Sequence, residues 1–300
     1  DTGLQPFTGY TEGNADLSAA WWITDQSQLR LGYALTRQDD AHRTDRSTPR
    51  DFRRLTDQDR DLLTLAYSHD LKGAPVDRVN ATLSFHSQRE LRERFRLDMD
   101  RVERERDEVS TLGAALVLGS DLPWNNSLTY GLDLYHDWVA SSGERAAISG
   151  PSPADAGRGR YMDGSRYLQF GVYAQDRLLL LDDKLALDGG LRVSLWNVGI
   201  PEDTAGLVPE VSTTHPGAVG SLHARYLVGD GLNLVAGVSQ GFRAPNVDDY
   251  SATGCSGQGY DRPNPNLGAE KSLTAEAGIK LDLFGLLRGS LFYYFTYLDD

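Results

Sequence analysis

Along most of the 300 residues, apolar and polar side chains alternate with a period of two. That is the spacing of strands with one face in an apolar medium, and a helix would not produce it. Leu29, Leu31, Tyr33 and Leu35 oppose Gln28, Arg30, Gly32, Ala34 and Thr36. Leu128, Tyr130, Leu132 and Leu134 oppose Thr129, Gly131, Asp133 and Tyr135, and Leu185, Leu187, Leu191, Val193 and Leu195 continue the pattern. Twelve such segments predict twelve strands, beginning near residues 15, 29, 63, 79, 112, 128, 168, 185, 218, 232, 273 and 291. The ninth, 218–226, is the weakest.

The links between them take turns in length. Short ones fall at 25–27, 72–75, 123–126, 182–184, 229–231 and Gly285, and long ones at 39–60, 89–107, 139–166, 198–216 and 243–270. Strands of about 10 residues, trimmed on one rim and elaborated on the other, are the mark of an antiparallel transmembrane β-barrel. A soluble sandwich or propeller does not demand that asymmetry. A lumen tolerates Arg30, Asp133, Glu276 and Lys280 while hydrocarbon does not, so the Leu and Tyr rows are expected to point outward. Trp21, Trp22, Trp124, Trp138 and Trp196 stand at strand ends, where aromatic girdles lie.

Composition narrows the function. A formal net charge of -13 and a pI near 4.9 argue against a nucleic-acid partner. The single cysteine, Cys255, has no partner within the chain. The start, Asp1-Thr2-Gly3-Leu4, has neither an initiator Met nor a signal peptide and reads as an excerpt. No apolar run approaches the roughly 18 residues of a membrane helix. The six histidines are scattered, and no nucleophile elbow, phosphate loop or dinucleotide fingerprint occurs. Ser84 and His86 share a face without a third triad member, so enzyme activity has no support and no cofactor is expected. Arginine outnumbers lysine 26 to four. The link 39–60 holds Arg43, Arg46, Arg50, Arg53, Arg54 and Arg60 among six aspartates, and 89–108 mixes seven arginines with eight acids. These runs are read as a solvated rim of cross-strand ion pairs, each worth roughly 0–1 kcal/mol. The odd-numbered apolar face continues through Leu91, Phe95, Leu97 and Met99, so the second run is a projecting hairpin or, alternatively, a helix. In the functional reading, Arg50, Arg53 and Arg54 meet anionic groups of a ligand or of outer-membrane lipid.

At the end of the tenth strand stands Gly241-Phe242-Arg243-Ala244-Pro245-Asn246, and Asn264-Pro265-Asn266-Leu267 with Glu270-Lys271-Ser272 opens the eleventh. Pro245 removes a ladder donor and keeps Ala244 extended, which stops the strand. Asn264-Pro265-Asn266 turns the chain back to the sheet. On spacing alone the two boxes clamp the feet of one long loop.

Together these boxes resemble those of TonB-dependent outer-membrane receptors. Tyr173-Ala174-Gln175-Asp176 and the stretch Tyr130 to Asp137 look like the same family. The resemblance implies a 22-stranded barrel around an N-terminal plug, coupled to TonB, that imports an iron chelate or similar scarce nutrient. Residues 1–300 would then be part of the barrel of a longer receptor whose plug lies elsewhere, and a ferric siderophore is the favoured cargo. Haem receptors of this type tend to carry a histidine between the boxes. Residues 247–263 have none and offer Tyr250 and Tyr260, to stack on or coordinate a ligand or simply to pack. Cys255 would pair outside this stretch. The alternatives are a complete twelve-stranded passive porin and a surface adhesin or soluble β-rich binding module.

Overall fold

The computed structural model describes residues 3, 6–44, 47–71, 75–150, 155–203, 206–229, 231–256 and 259–299, with backbone alone at 155–156 and 254–256. Arg46, most of the expected turn at 72–75, Asp230, Asp300 and the pairing of Cys255 therefore lie outside the described residues.

Twelve long strands form one antiparallel meander. They are β1 (Thr11–Thr24), β2 (Ser27–His42), β3 (Asp51–Asp70), β4 (Arg78–Arg96), β5 (Arg101–Leu122) and β6 (Asn126–Ala147), followed after the short β7 (Asp155–Gly157) by β8 (Arg166–Leu180), β9 (Leu185–Ile200), β10 (Val211–Gly229) and β11 (Leu232–Arg243). A five-residue helix, α1 (Val247–Ser251), and a hairpin of β12 (Gly254–Ser256) and β13 (Gly259–Asp261) precede β14 (Glu270–Leu283) and β15 (Leu287–Asp299). The sheet runs in chain order from β1 to β15, with β7 added beside β6 and β12–β13 apart.

Register sorts the side chains by chemistry. Ala19, Leu31, Leu65, Leu83, Ala114, Leu134, Phe170 and Leu195 lie in one row across eight strands. The next row is Trp21, Leu29, Tyr67, Ala81, Leu116, Leu132, Val172 and Val193. These side chains have no second layer over them; Trp21 is 66% exposed and Leu83 55%. A large, continuous apolar face left bare is a lipid face. The opposite face carries Thr64, Ser84, Gly113, Tyr135 and Gln169 in one row. There Arg192 on β9 reaches over Gly171 of β8 to bind both oxygens of Asp133 on β6, at 2.7 Å each. A Cβ at position 171 would collide with that guanidinium. Trp196 departs from the expected outer girdle: it shares the polar face with Gln169 and His215 and stacks on Phe242 at 4.8 Å.

Two expected long links are largely strand. The stretch 89–107 is a hairpin that closes through 97–100, with one 3-10 turn at Leu97–Met99, and 39–60 shrinks to a connection at 43–50. The projecting hairpin expected from Leu91, Phe95, Leu97 and Met99 is therefore present, whereas the extension of β3 carries no such period, because charged residues interrupt both of its faces. Arg92 faces Glu105 and Arg94 faces Glu103 on one side, and Arg54, Glu93, Arg104 and Glu144 form a row on the other. At 22 residues, β5 and β6 are about 70 Å long, whereas a bilayer needs only about 10 residues of tilted strand. Over half of each therefore stands clear of hydrocarbon.

A buried apolar cluster sits at this long rim, not in the wall. Met162, Val198, Ile200, Val208, Val211, Val247 and Tyr250 pack together, with Tyr161, Tyr167 and Leu267 against them. The loops after β7, β9 and β11 supply the second layer that a one-sheet wall lacks.

Candidate functional site

The two boxes fasten the loop after β11 onto that cluster. Gly241 pairs with Ser272 and Arg243 with Glu270 as β11 ends against β14. The Arg243 guanidinium holds the Glu270 carboxylate and donates to both oxygens of Asp249, at 3.1 and 2.8 Å. Ala244 and Pro245 are buried where the strand stops. Asn246 caps α1: its Oδ1 accepts from Asp249 N at 3.0 Å, and its own N–H donates to Asp249 Oδ2 at 2.9 Å. Asn264 N–H donates to the Tyr250 carbonyl at 3.2 Å, and Asn264 Oδ1 accepts from Asn266 N at 3.0 Å. Pro265 lies within that turn, and Leu267 packs on the core.

Tyr250 is 1% exposed. Its hydroxyl donates to the Leu267 carbonyl at 3.3 Å and lies 2.6 Å from Nε2 of His215 on β10. Burial first, and the neighbouring Asp249 second, push its pKa above the ordinary phenol value. The structure thus uses Tyr250 to pin the loop to the wall. Tyr260, on β13, is 64% exposed.

The polar face of the extended hairpins, the segment 158–160 and the loop after α1 enclose a cavity of about 330 Å³. Five arginines line it: Arg53, Arg92, Arg94, Arg158 and Arg160. Four carboxylates, Glu103, Glu105, Asp248 and Asp261, line it too, so cations prevail here in a chain that is acidic overall. A second polar cavity of about 380 Å³ shares Arg160 and continues along β4 past Glu90 to His86.

The three arginines singled out from sequence part company. Arg53 lines the cavity. Arg54 lies on the opposite face, where it donates twice to Glu93 at 2.9 and 2.8 Å, once to Asp40 at 3.1 Å, and covers the Phe95 ring. Arg50 sits at the hairpin tip, 3.5 Å from Asp98 and largely exposed. Sequence reasoning missed Arg92, Arg94, Arg158 and Arg160. For the last two the signal was the alternation Gly157-Arg158-Gly159-Arg160, where small residues let the backbone lie flat: a Cβ on Gly159 would strike Ser141 and Ser142 of β6. Among the described residues, no group of His, Cys, Asp and Glu is arranged to hold a metal ion.

An unlayered antiparallel sheet with a bare apolar belt, a polar opposite face and a rim clamped by paired boxes is the wall of an outer-membrane β-barrel. Residues 2–300 match the family described as TonB dependent receptor-like, beta-barrel, and the chain belongs to that family. Among solved structures it is similar to the copper transporter OprC, with a TM-score of 0.76 at 13% identity over 96% of this chain and 45% of that one. It is similar also to the hemophore receptor HasR of Serratia marcescens, solved with its hemophore and heme, with a TM-score of 0.70 at 17% identity over 97% and 46%. The alcaligin outer membrane receptor FauA of Bordetella pertussis gives 0.66 at 17% over 97% and 44%. The chain thus spans just under half the length of these structures, and at such identities the likeness is one of fold. No curated protein sequence matches this one.

Proposed function

We propose that this chain is part of the barrel of a TonB-dependent importer that captures a ferric siderophore at its long rim. In this reading the plug and the segment held by TonB lie elsewhere in the protein, and the polar face forms the passage. The observation that carries it is the rim itself. A box-clamped loop folds over the wall and, with the extended hairpins, lines a charged cavity that shares Arg160 with a second one along β4. Membership of the receptor family and likeness to receptors about twice as long support it.

The alternative, a complete twelve-stranded passive porin, would pair its first and last strands. Among the described residues the sheet is an open path from β1 to β15, which favours the importer. Deletion of the full-length gene tests both readings. The importer predicts lost growth on at least one ferric siderophore as sole iron source, in a manner that also requires TonB. Unimpaired growth on every siderophore, together with TonB-independent ion conductance of the purified protein in planar bilayers, would support the porin.

A further inference from the structure

We propose that the arginine-lined rim cavity is an oxyanion site centred on Arg158, selecting a carboxylate- or phosphate-bearing ligand over a neutral one; this rests on the capture role proposed above. Three of the other guanidinium groups already have partners. Arg92 binds Glu90 and Glu105, Arg94 binds both oxygens of Asp51, and Arg160 lies 3.6 Å from Asp248. Arg158 does not share this pattern. Among the described residues its hydrogen bonds go to neutral acceptors only: the carbonyls of Ser251 and Arg160 and, at 3.1 Å, Thr253 Oγ1. Its Nε is buried with no acceptor at all. Asp203 and Asp248 act on it through space, and burial is the stronger influence, lowering its pKa.

A half-buried guanidinium without a counter-ion is costly to keep. Binding the end of α1 explains where Arg158 points but, among the described residues, brings no carboxylate into direct contact with it, and Asp203 and Asp248 act only at a distance. An oxyanion entering the cavity would match it, because the planar fork suits carboxylate and phosphate alike. The mounting is firm. The segment lies against β6 through Gly159, Tyr161 N–H donates to Ser141 Oγ at 3.2 Å, and Asp163 Oδ1 accepts from Ser141 N at 3.0 Å. A volume of about 330 Å³ accommodates a small polycarboxylate.

The test uses the full-length receptor in detergent and calorimetric titration with citrate, inorganic phosphate and a neutral ferric trihydroxamate. Citrate, phosphate or both should bind. Arg158→Gln should weaken that binding about tenfold or more, the size expected for one lost charge-assisted contact. Arg158→Lys should recover part of it, and the trihydroxamate should be indifferent to both. Hydrogen exchange at 247–252 reports whether α1 stays docked, and the affinity loss should occur with that protection unchanged. The proposal is overturned if neither anion binds, if Arg158→Gln leaves anion affinity unchanged, or if the loss only tracks undocking of α1. Failure of the import reading looks different: growth on siderophores survives deletion while Arg158-dependent anion binding persists in the purified protein.

Discussion

Where β3 to β6 rise above the apolar belt, arginine and carboxylate ladders hold them; where β8 to β11 end, a cluster of buried side chains does so. Both regions belong to one rim, and loop length separates them. The β4–β5 hairpin closes through 97–100 and has no long connection of its own to fold back on it, so its strands are tied by cross-strand pairs such as Arg54, Glu93 and Arg104. The links after β6, β9 and β11 are long enough to lie back on the strand ends and bury Val198, Ile200 and Tyr250. A sheet one layer thick can acquire a core only from its own connections.

The sharpest way to break the contrast is within the core. Ile200→Ala should cost about 2–4 kcal/mol. Hydrogen exchange should accelerate at 198–211 and 247–252 while 92–104 keeps its protection. On the charged side, Glu93→Gln removes a carboxylate held by Arg54 and Arg104. Glu93 itself is buried, while both arginines are about one-third exposed or more, so the expected loss is about 1–2 kcal/mol. It should shrink further in 1 M salt, where screening shortens to about 3 Å.

Titration should part the two regions by sign. Hydrogen bonds from Arg94 hold the Asp51 carboxyl below its ordinary range. That stabilisation is present above the unfolded value of about 3.9 and is lost as pH falls through the folded one. Tyr250, raised by burial, stabilises below about 10 and ceases to do so as pH climbs through its folded value. Acid should therefore loosen the hairpins first and alkali the α1 loop, as read by exchange at 51–55 against 247–252; the reverse order would dissolve the comparison. The smallest effect is expected for Arg50→Ala at the exposed hairpin tip, below about 0.5 kcal/mol in a urea titration of vesicle-inserted protein.

Much of the wall was legible from alternation alone. Every second Leu or Tyr in β2, β6 and β9 lies on the bare face, because lipid contact imposes a strict period of two. The rim was less legible for two physical reasons. The end of β3 is too dense in charge to keep a hydrophobic period and read as loop, whereas Leu91 and Phe95 left the hairpin of β4 and β5 open only to a competing helix. Burial of Tyr250 depends on Met162 from the link after β7 and on Val198 and Ile200 at the end of β9, and no local pattern announces that. The boxes were visible as strand stop and turn, but the bond of Arg243 to Asp249 and the stacking of Phe242 on Trp196 needed coordinates.

If the polar face forms the passage proposed above, the bridge across Gly171 has a consequence for traffic. Arg192 lies along the wall with its charge answered by Asp133, so a passing solute meets a paired dipole at low relief and no outstretched cation. A side chain at that position would prop the guanidinium up into the bore and make a smooth surface sticky.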